Sequence, residues 1–398
     1  MSAKRNPQVI RMFRVSIWGI LPAIFLTAFA AASAPWRAST GEPTGVICTV
    51  ESQMDFPDLC SNAGPGAVRV DYWQSGLLPR RPLPALPLDP SLSQLDRSYA
   101  RAGKDTELNF YSSVEDAISG NANHSIYKGF VYVSYVQRIV RDEGTFFRTG
   151  DGWIVRGDDV TPISNKDQFS GFALAQTPDH TFGWVLPYEG VYPSRTPGGP
   201  ADKHAVFYPR YSPVEVFDSQ KVDQTTWYMV GINQWILQTK LGMVFPDTVR
   251  PDGIPAGVKW ISINLFEQTL AAYEGNRMVF ATLVASGLPG YWTRPGLFQI
   301  QKKYDIQTMS GSFEVDKSDY YYVGDVPWVM YFDRARAIHG EYWHNNLGGR
   351  HSHGCVNVPV ADGHWLYNWA PEGTWVYVFD PSGKTPTDEK YYLNDAGI

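Results

Sequence analysis

The chain is organised around Ile338–Asn357, whose sequence is IHGEYWHNNLGGRHSHGCVN. Five of the eight histidines lie between residues 339 and 364, and Cys355, one of only three cysteines, lies among them. Histidine can transfer protons near neutral pH, and a thiolate is the strongest common protein nucleophile. A cysteine that ends Ser352-His353-Gly354-Cys355, with His339 upstream, therefore predicts a site for thiol-dependent acyl transfer.

Two kinds of site are compatible with this stretch. If it is extended, His351, His353 and Cys355 lie on one face and offer nitrogen and sulfur ligands to zinc. Alternatively, Cys355 attacks a carbonyl, a histidine takes its proton, and backbone N–H groups around Gly354 and Cys355 hold the oxyanion. Zinc sites usually draw their ligands from separate elements, so the compact His-x-His-x-Cys run favours the nucleophile, and no metal is expected.

Composition limits the class of protein. At 398 residues the chain is long enough for two or three domains. The aromatic share of 14%, with 36 Gly and 29 Pro, is typical of short strands and turns rather than of long helices. A net charge of −6 provides no basic field, so nucleic acid is not an expected partner.

The N-terminus has the pattern of an export segment. Lys4, Arg5, Arg11 and Arg14 precede the uncharged run Val15–Ala34. The run is also long enough to span a bilayer as a helix, so residues 1–34 are either a cleaved signal peptide or a retained membrane anchor. In both cases the rest of the chain is expected outside the cytoplasm.

Cysteine usage agrees with export. Cys48 and Cys60 are expected to form a disulfide in an oxidising compartment, which leaves Cys355 as an unpaired and reactive thiol. The alternative is that Cys48 and Cys60 are two buried free thiols.

Two regions precede the candidate catalytic part. Residues 35–98 form a proline-rich linker, extended like polyproline, which is either a spacer or a strap along the folded body. Residues 99–250 have short strands and a weak internal repeat between 146–155 and 227–237. In both copies an aromatic pair leads into a glycine turn and then a Trp. The repeat resembles bacterial SH3-like β-barrel modules, and two such modules are expected either to bind the cell wall or to brace the enzyme.

Residues 258–378 have the pattern of a compact β domain. Ile261, Ile263 and Leu265 alternate with polar residues, and a hairpin is predicted around Glu274-Gly275-Asn276. The one predicted helix is 361–370, where Asp362 suits the positive end of the helix dipole. Residues 379–398 are expected to be a polar C-terminal tail.

These motifs together resemble a known enzyme family. His339-Gly340 and the later Ser352-His353-Gly354-Cys355-Val356-Asn357 are similar to the core of the L,D-transpeptidase (YkuD-type) catalytic domain. Lys259–Gln268 is similar to its opening hairpin, and Thr293–Phe298 to its Thr-Pro-Thr-Gly-x-Phe element, with Arg294 and Pro295 departing from that pattern. The resemblance covers about 258–378 and implies a β-sandwich with one prominent helix. The expected fold is therefore mainly β, with SH3-like modules before the sandwich.

The resemblance also implies roles for particular residues. Cys355 matches the nucleophile, His339 its base, and the backbone carbonyl of Gly340 the group that orients the imidazole. His353 and Gly354 match the surroundings of the nucleophile and shape the oxyanion pocket. Substrate-side positions are expected at Tyr342, Trp343, His344, Arg350, Ser352 and Asn357, of which the last two brace the loop. Packing of an ordered loop is the alternative role for the aromatic ones.

The implied reaction is peptidoglycan cross-linking without a cofactor. A stem-peptide donor loses D-alanine and forms a thioester with Cys355, and the side-chain amine of a second stem then takes the acyl group in a 3→3 cross-link. With water as the acceptor the enzyme would be an L,D-carboxypeptidase. The competing class is a wall-binding protein around an inactive enzyme domain. Expected partners are stem peptides, with the cell wall and the membrane as further contacts through the upstream modules and an uncleaved N-terminus.

Overall fold

The structure is a computed structural model that describes residues 83–164 and 168–392. All of them belong to one compact unit, Gly45–Ile398. The export segment 1–34, most of the linker, and both Cys48 and Cys60 lie outside the described residues, so the disulfide remains a prediction. Among the helices that are described, none has the length and apolar character needed to cross a bilayer.

The described chain is mainly β. The strands before residue 250 are β1 (Ala85–Leu86), β2 (Ser98–Ala102), β3 (Leu108–Phe110), β4 (His124–Ile126), β5 (Phe130–Tyr135), β6 (Gln137–Arg141), β7 (Gly144–Arg148), β8 (Ile154–Arg156), β9 (Val160–Ile163), β10 (Phe172–Leu174), β11 (Phe182–Val185), β12 (Pro213–Glu215), β13 (Asp218–Val222), β14 (Thr225–Gly231), β15 (Gln234–Leu237) and β16 (Leu241–Val244). The later strands are β17 (Lys259–Asn264), β18 (Thr269–Glu274), β19 (Arg277–Leu283), β20 (Gly296–Gln299), β21 (Lys302–Gly311), β22 (Tyr321–Asp333), β23 (Arg336–Glu341), β24 (Val356–Pro359) and β25 (Trp375–Phe379). The α-helices are α1 (Val114–Ser119) and α2 (Val360–Trp369), and short 3-10 turns occur at Pro90–Ser93, Gly157–Asp159, Gln238–Lys240 and Glu389–Tyr392.

Two seven-stranded sheets form the body of the domain. The first has the order β1-β10-β19-β18-β17-β25-β20. The second has the order β24-β23-β22-β5-β2-β9, with β21 paired to β22. Residues from both sheets and from α2 share one buried core that includes Ile261, Met330, Val356 and Leu366. The predicted sandwich with one prominent helix is therefore confirmed, as is the hairpin, in which Glu274 pairs with Arg277 across the turn.

Strands from the upstream region extend both sheets. β1 and β10 form one edge of the first sheet, and β5, β2 and β9 continue the second beyond β22. β1 belongs to the proline-rich region, so the described part of that region is a strap rather than a free spacer. The part of the tail up to residue 392 is also packed, because Tyr392 is fully buried and its backbone carbonyl accepts a hydrogen bond from Arg334.

The internal repeat has a structural counterpart, but the expected SH3-like barrels are not supported. Each copy lies in a three-stranded meander, β6-β7-β8 or β13-β14-β15, followed by a 3-10 turn and another strand. In a closed barrel, that last strand would pair with a strand of its own meander. Here β9 pairs with β2, and β16 pairs with β11, so the strand order of the described residues contains no closed barrel.

A buried carboxylate fastens the upstream chain to the catalytic part. Asp362, in the first turn of α2, accepts the Gly171 N–H at 3.0 and 3.1 Å and the Ser170 hydroxyl at 3.1 Å. The Thr282 hydroxyl, from β19, donates to the same carboxylate. Burial raises the pKa of Asp362 to about 7, against the opposing effect of these hydrogen bonds.

Replacing Asp362 by alanine is expected to lower the free energy of unfolding by about 2–5 kcal/mol, because several buried donors would lose their acceptor. Chemical denaturation followed by tryptophan fluorescence measures the change. Asp142, exposed in the turn between β6 and β7, provides the matched control, and its replacement by alanine should cost less than about 0.5 kcal/mol. Equal effects of the two substitutions would contradict the role given to Asp362.

Candidate active site

His339 and Cys355 line one cavity of about 390 Å³. His339 lies in β23, and Cys355 immediately precedes β24, the parallel neighbour of β23. This pairing sets His339 opposite Asn357. The two residues on which the sequence prediction depends are therefore brought together by adjacent strands rather than by a flexible loop.

The His339 imidazole is held in one orientation and kept neutral. The side chain is buried, and its Nδ1 lies 3.0 Å from the Gly340 carbonyl oxygen. Because a carbonyl only accepts, Nδ1 carries the proton and Nε2 is left as the basic nitrogen. Burial and, to a smaller extent, the nearby His344 lower the pKa of His339 to about 4, while the hydrogen bond to Gly340 opposes this shift. The orienting carbonyl expected at Gly340 is thus present.

Glycine at position 363 lets α2 pack directly against the strand that carries His339. The backbone of Gly340 lies against Gly363 of α2, where an added Cβ on Gly363 would come within 2.9 Å of the Gly340 Cα and N. The close approach of α2 to β23 therefore requires glycine at position 363.

Cys355 is a half-buried free thiol. Its Sγ lies 3.8 Å from the Ala335 carbonyl oxygen, a distance compatible with a weak S–H donor. Burial raises the pKa of the Cys355 thiol, and a backbone hydrogen bond with Ala337 and the charge of Arg336 only partly oppose it. At neutral pH the site therefore holds a neutral thiol and a neutral imidazole, and the thiol needs a base to become a nucleophile.

The turn before the nucleophile is closed by Ser352. Its hydroxyl donates to the Cys355 carbonyl oxygen at 2.5 Å and accepts the Gly354 N–H at 3.1 Å. Gly354 has a φ of 121°, which side-chain-bearing residues rarely adopt. Buried Thr293 donates to the Gly354 carbonyl at 2.8 Å and accepts the Gly287 N–H at 2.9 Å. Ser352 thus braces the loop, as expected.

His353 lines the cavity among aromatic rings. Its ring lies 5.1 Å from Tyr321 and 5.9 Å from Phe313, nearly parallel to both, and 4.6 Å from Tyr291. Burial lowers the pKa of His353 despite the opposing charge of Asp319. The side chain therefore shapes the wall beside Cys355 as a neutral ring.

Asn357 contributes an unused acceptor to the cavity. Its backbone N–H and C=O both pair with Ala285 at 2.9 Å. Its side-chain Oδ1 is buried and has no hydrogen-bond partner among the described residues. A buried polar atom without a partner costs roughly 1–3 kcal/mol, so this oxygen is suited to a donor that a ligand brings.

Some residues of the loop between His339 and Cys355 line the cavity, and others are buried in the core. Trp343 and His344 line the cavity. His344 accepts the Asn346 N–H at Nδ1, and its Nε2 lies 2.9 Å from Oε2 of buried Glu341. Neither Nε2 nor Oε2 has a hydrogen-bond partner among the described residues. Burial lowers the pKa of His344 to about 4 and raises that of Glu341 well above its usual value.

Two of the expected substrate-side residues lie elsewhere. Tyr342 is buried, stacks on Tyr99 at 3.5 Å and donates its hydroxyl to the Gly324 carbonyl, so it is a core residue. Arg350 donates to the Gly287 and Leu265 carbonyls at 3.2 Å and to the Thr385 hydroxyl at 2.9 Å. The local sequence around Arg350 gives no sign of these partners, because they come from distant segments.

The three residues considered as zinc ligands line the same cavity, but their side chains are not arranged around a common metal position. His351, His353 and Cys355 all line it. His351 is exposed and its ring lies 5.2 Å from that of His344, whereas His353 is enclosed by the aromatic rings described above. No group of three His, Cys, Asp or Glu side chains within 83–164 and 168–392 has the arrangement of a metal site.

The sequence analysis missed the residues that complete the cavity. Lys104, Gly129 and Phe130, from the upstream region, line it together with Tyr321 of β22. Gln168 supports its rear, because its amide donates to the Glu341 carbonyl at 2.6 Å and accepts the Val360 N–H at 3.1 Å. No motif marks these residues, since each depends on pairing between segments that are far apart in the chain.

Comparison with known proteins finds a family model for the part of the chain that contains His339 and Cys355. Residues 258–378 match the family model of the YkuD L,D-transpeptidase catalytic domain, and this range includes His339, Cys355 and the turn between Ser352 and Cys355. This part of the chain is an L,D-transpeptidase family catalytic domain. The family's Thr-Pro-Thr-Gly-x-Phe element is replaced here by a turn in which Arg294 pairs with Asp333 at 2.5 Å and lies over the Phe298 ring.

Individual relatives resemble this catalytic domain. A Bacillus subtilis (strain 168) protein, YciB, named as a candidate L,D-transpeptidase, is 25% identical over 142 residues, which are 30% of this chain and 64% of that protein. The match therefore spans less than two thirds of the relative. A crystal structure of an Enterococcus faecium L,D-transpeptidase is 26% identical over 34% of this chain and 55% of its own, with a TM-score of 0.29. An L,D-transpeptidase structure from Xylanimonas cellulosilytica is 28% identical over 35% and 72%, with a TM-score of 0.27.

Proposed function

We propose that this protein is a peptidoglycan L,D-transpeptidase that forms 3→3 cross-links through a thioester on Cys355. The observation that carries the proposal is the pair of neutral groups in one cavity: the Cys355 thiol, and a His339 imidazole whose Nδ1 is bound to the Gly340 carbonyl. A base held in a single tautomer beside a protonated thiol is the arrangement that cysteine acyl transfer needs.

In the first half-reaction the Cys355 thiol gives its proton to Nε2 of His339, and the sulfur attacks the carbonyl between the diamino acid and the terminal D-alanine. The developing oxyanion needs a backbone donor. Ser352 already accepts the Gly354 N–H, which leaves the N–H of Cys355 as the proposed donor. The tetrahedral intermediate collapses, the C–N bond breaks, and the imidazolium protonates the leaving amine of D-alanine. The product is a thioester.

In the second half-reaction an amine from a neighbouring stem loses a proton to His339 and attacks the thioester carbonyl. The C–S bond breaks, an amide forms, and the sulfur recovers its proton from the imidazolium. Trp343 lines the cavity beside His339, with ring centres 5.7 Å apart, and is proposed to face the acceptor. The Oδ1 of Asn357 is proposed to accept a backbone N–H of the bound stem peptide.

The complete set of reacting groups favours catalysis over a wall-binding protein with an inactive domain. A decayed site would not be expected to keep the nucleophile, the oriented base and the Ser352 brace together. The proposed location is the cell envelope, where the predicted export segment would deliver the enzyme to its substrate.

Product analysis tests the proposed function. The protein is incubated with a disaccharide-tetrapeptide, and the products are separated by chromatography and identified by mass spectrometry. We expect a dimer that has lost one D-alanine and is joined between the two diamino acids. A tripeptide monomer without dimer would show that water is the acceptor and the enzyme an L,D-carboxypeptidase. Unchanged substrate would contradict the proposal.

A further inference from the structure

The cavity wall continues beyond the family domain onto an upstream strand. β22 pairs in parallel with β5, so that Tyr321 lies beside Phe130. The Phe130 N–H donates to the Tyr320 carbonyl at 3.0 Å. An added Cβ on Gly129 would come within 2.3 Å of that carbonyl oxygen, so glycine is needed for the close contact. Both Phe130 and Tyr321 line the cavity, and Phe130 is 40% exposed.

Of the three charged side chains that line the cavity in the described part of the chain, two are bound by other groups of the protein and one is not. Arg336 is buried, lies 3.5 Å from Asp333 and donates to the Trp292 carbonyl. Asp319 accepts hydrogen bonds from Ser312 and from the Phe313 and Glu314 N–H groups. Lys104, in the turn between β2 and β3, is exposed and has no ion-pair partner in the part of the chain that the structure describes.

We propose that the upstream region is part of the substrate site, where Lys104 binds a carboxylate of the stem peptide and Phe130 packs against its aliphatic part. This inference rests on the proposed function and specifies the class of substrate: a stem with a free carboxylate rather than one that is amidated. An ammonium group is a flexible point charge, which suits a carboxylate at the rim of an open cavity. The upstream strands then serve recognition of the donor and not only bracing of the domain.

The test compares stem peptides that carry free carboxylates with peptides of the same sequence whose carboxylates are amidated. For the unmodified protein we expect kcat/KM for D-alanine release to be about 1.5- to fivefold higher with the carboxylate form, the range for one solvent-accessible ion pair. Lys104→Met should remove this preference mainly through KM, and Lys104→Glu should reverse it. Lys128→Met, at an exposed lysine of the same region outside the cavity, should keep the preference.

Binding to catalytically inactive protein separates this inference from the proposed function. Calorimetry with Cys355→Ala, with and without Lys104→Met, measures affinity for the two peptide forms without turnover. A carboxylate preference that depends on Lys104, without D-alanine release by the unmodified protein, would support the inference and contradict the proposed function. Turnover with no carboxylate preference, or with a preference that Lys104→Met retains, would overturn the inference alone.

Discussion

Cys355→Ala is expected to reduce D-alanine release from a tetrapeptide-stem donor by about 10⁴–10⁶-fold, to the detection limit. The thiol is the only group proposed to form a covalent bond with the donor, and no other cysteine lies in the described part of the cavity. Without the sulfur, His339 has no nucleophile to activate at this position. A coupled assay for free D-alanine measures the loss.

The substitution should leave the fold intact, because Cys355 is half-buried and its sulfur makes only weak contacts, with the Ala335 carbonyl and with the backbone of Ala337. A melting temperature within a few degrees of the unmodified protein is the control. Cys355→Ser tests the chemistry further, since it keeps a side chain of similar shape but replaces the thiol by a much weaker nucleophile. Full activity in either variant would exclude the thioester mechanism.

His339→Ala is expected to lower kcat/KM by about 10²–10⁴-fold, the range for losing a general base. His351→Ala is the matched control: this histidine lines the same cavity, but it is exposed and has no assigned chemistry. Its loss should change the rate by less than about threefold. A zinc enzyme would behave differently, because a chelator would inactivate it and His351→Ala would be as damaging as His339→Ala.

The pH dependence of kcat/KM tests the electrostatics of this pair. Burial lowers the pKa of His339 from 6.5 to about 4, so the base becomes protonated only as the pH falls through that value. Burial raises the pKa of the Cys355 thiol above its usual range, so the thiol is mainly protonated near neutrality. We therefore expect a level profile between about pH 5 and 8, with activity lost below about pH 4–5. An acid limb between pH 6 and 7 would show that His339 is not buried as described.

The sequence alone predicted the features that depend on local pattern. The hairpin around Gly275 and the helix near 361–370 follow from turn chemistry and apolar periodicity, and both occur within one residue of the expected positions. Residue type and spacing predicted His339 and Cys355 as candidate reacting groups, and the family resemblance added Gly340 and Ser352. The structure places His339 and Cys355 in one cavity. The structure added the orientation of the base and its low pKa, which depend on burial by other segments.

Features set by long-range pairing were not predicted. The contribution of β5 to the second sheet and of Phe130 to the cavity requires a strand to pair with one that lies nearly two hundred residues away. Arg350 was predicted to contact the substrate. Its local sequence could not show that the guanidinium binds distant backbone carbonyls instead. The SH3-like prediction identified a true repeat of two meanders, but it could not show that β9 and β16 pair outside them.

The most direct test of the central claim is the intact mass of the protein after brief mixing with a disaccharide-tetrapeptide donor. We expect an added mass equal to the donor minus D-alanine, located on Cys355 by peptide mapping and released by hydroxylamine, as expected for a thioester. The same adduct on Cys355→Ala, or D-alanine release with no adduct at Cys355 under any quench time, would contradict the claim.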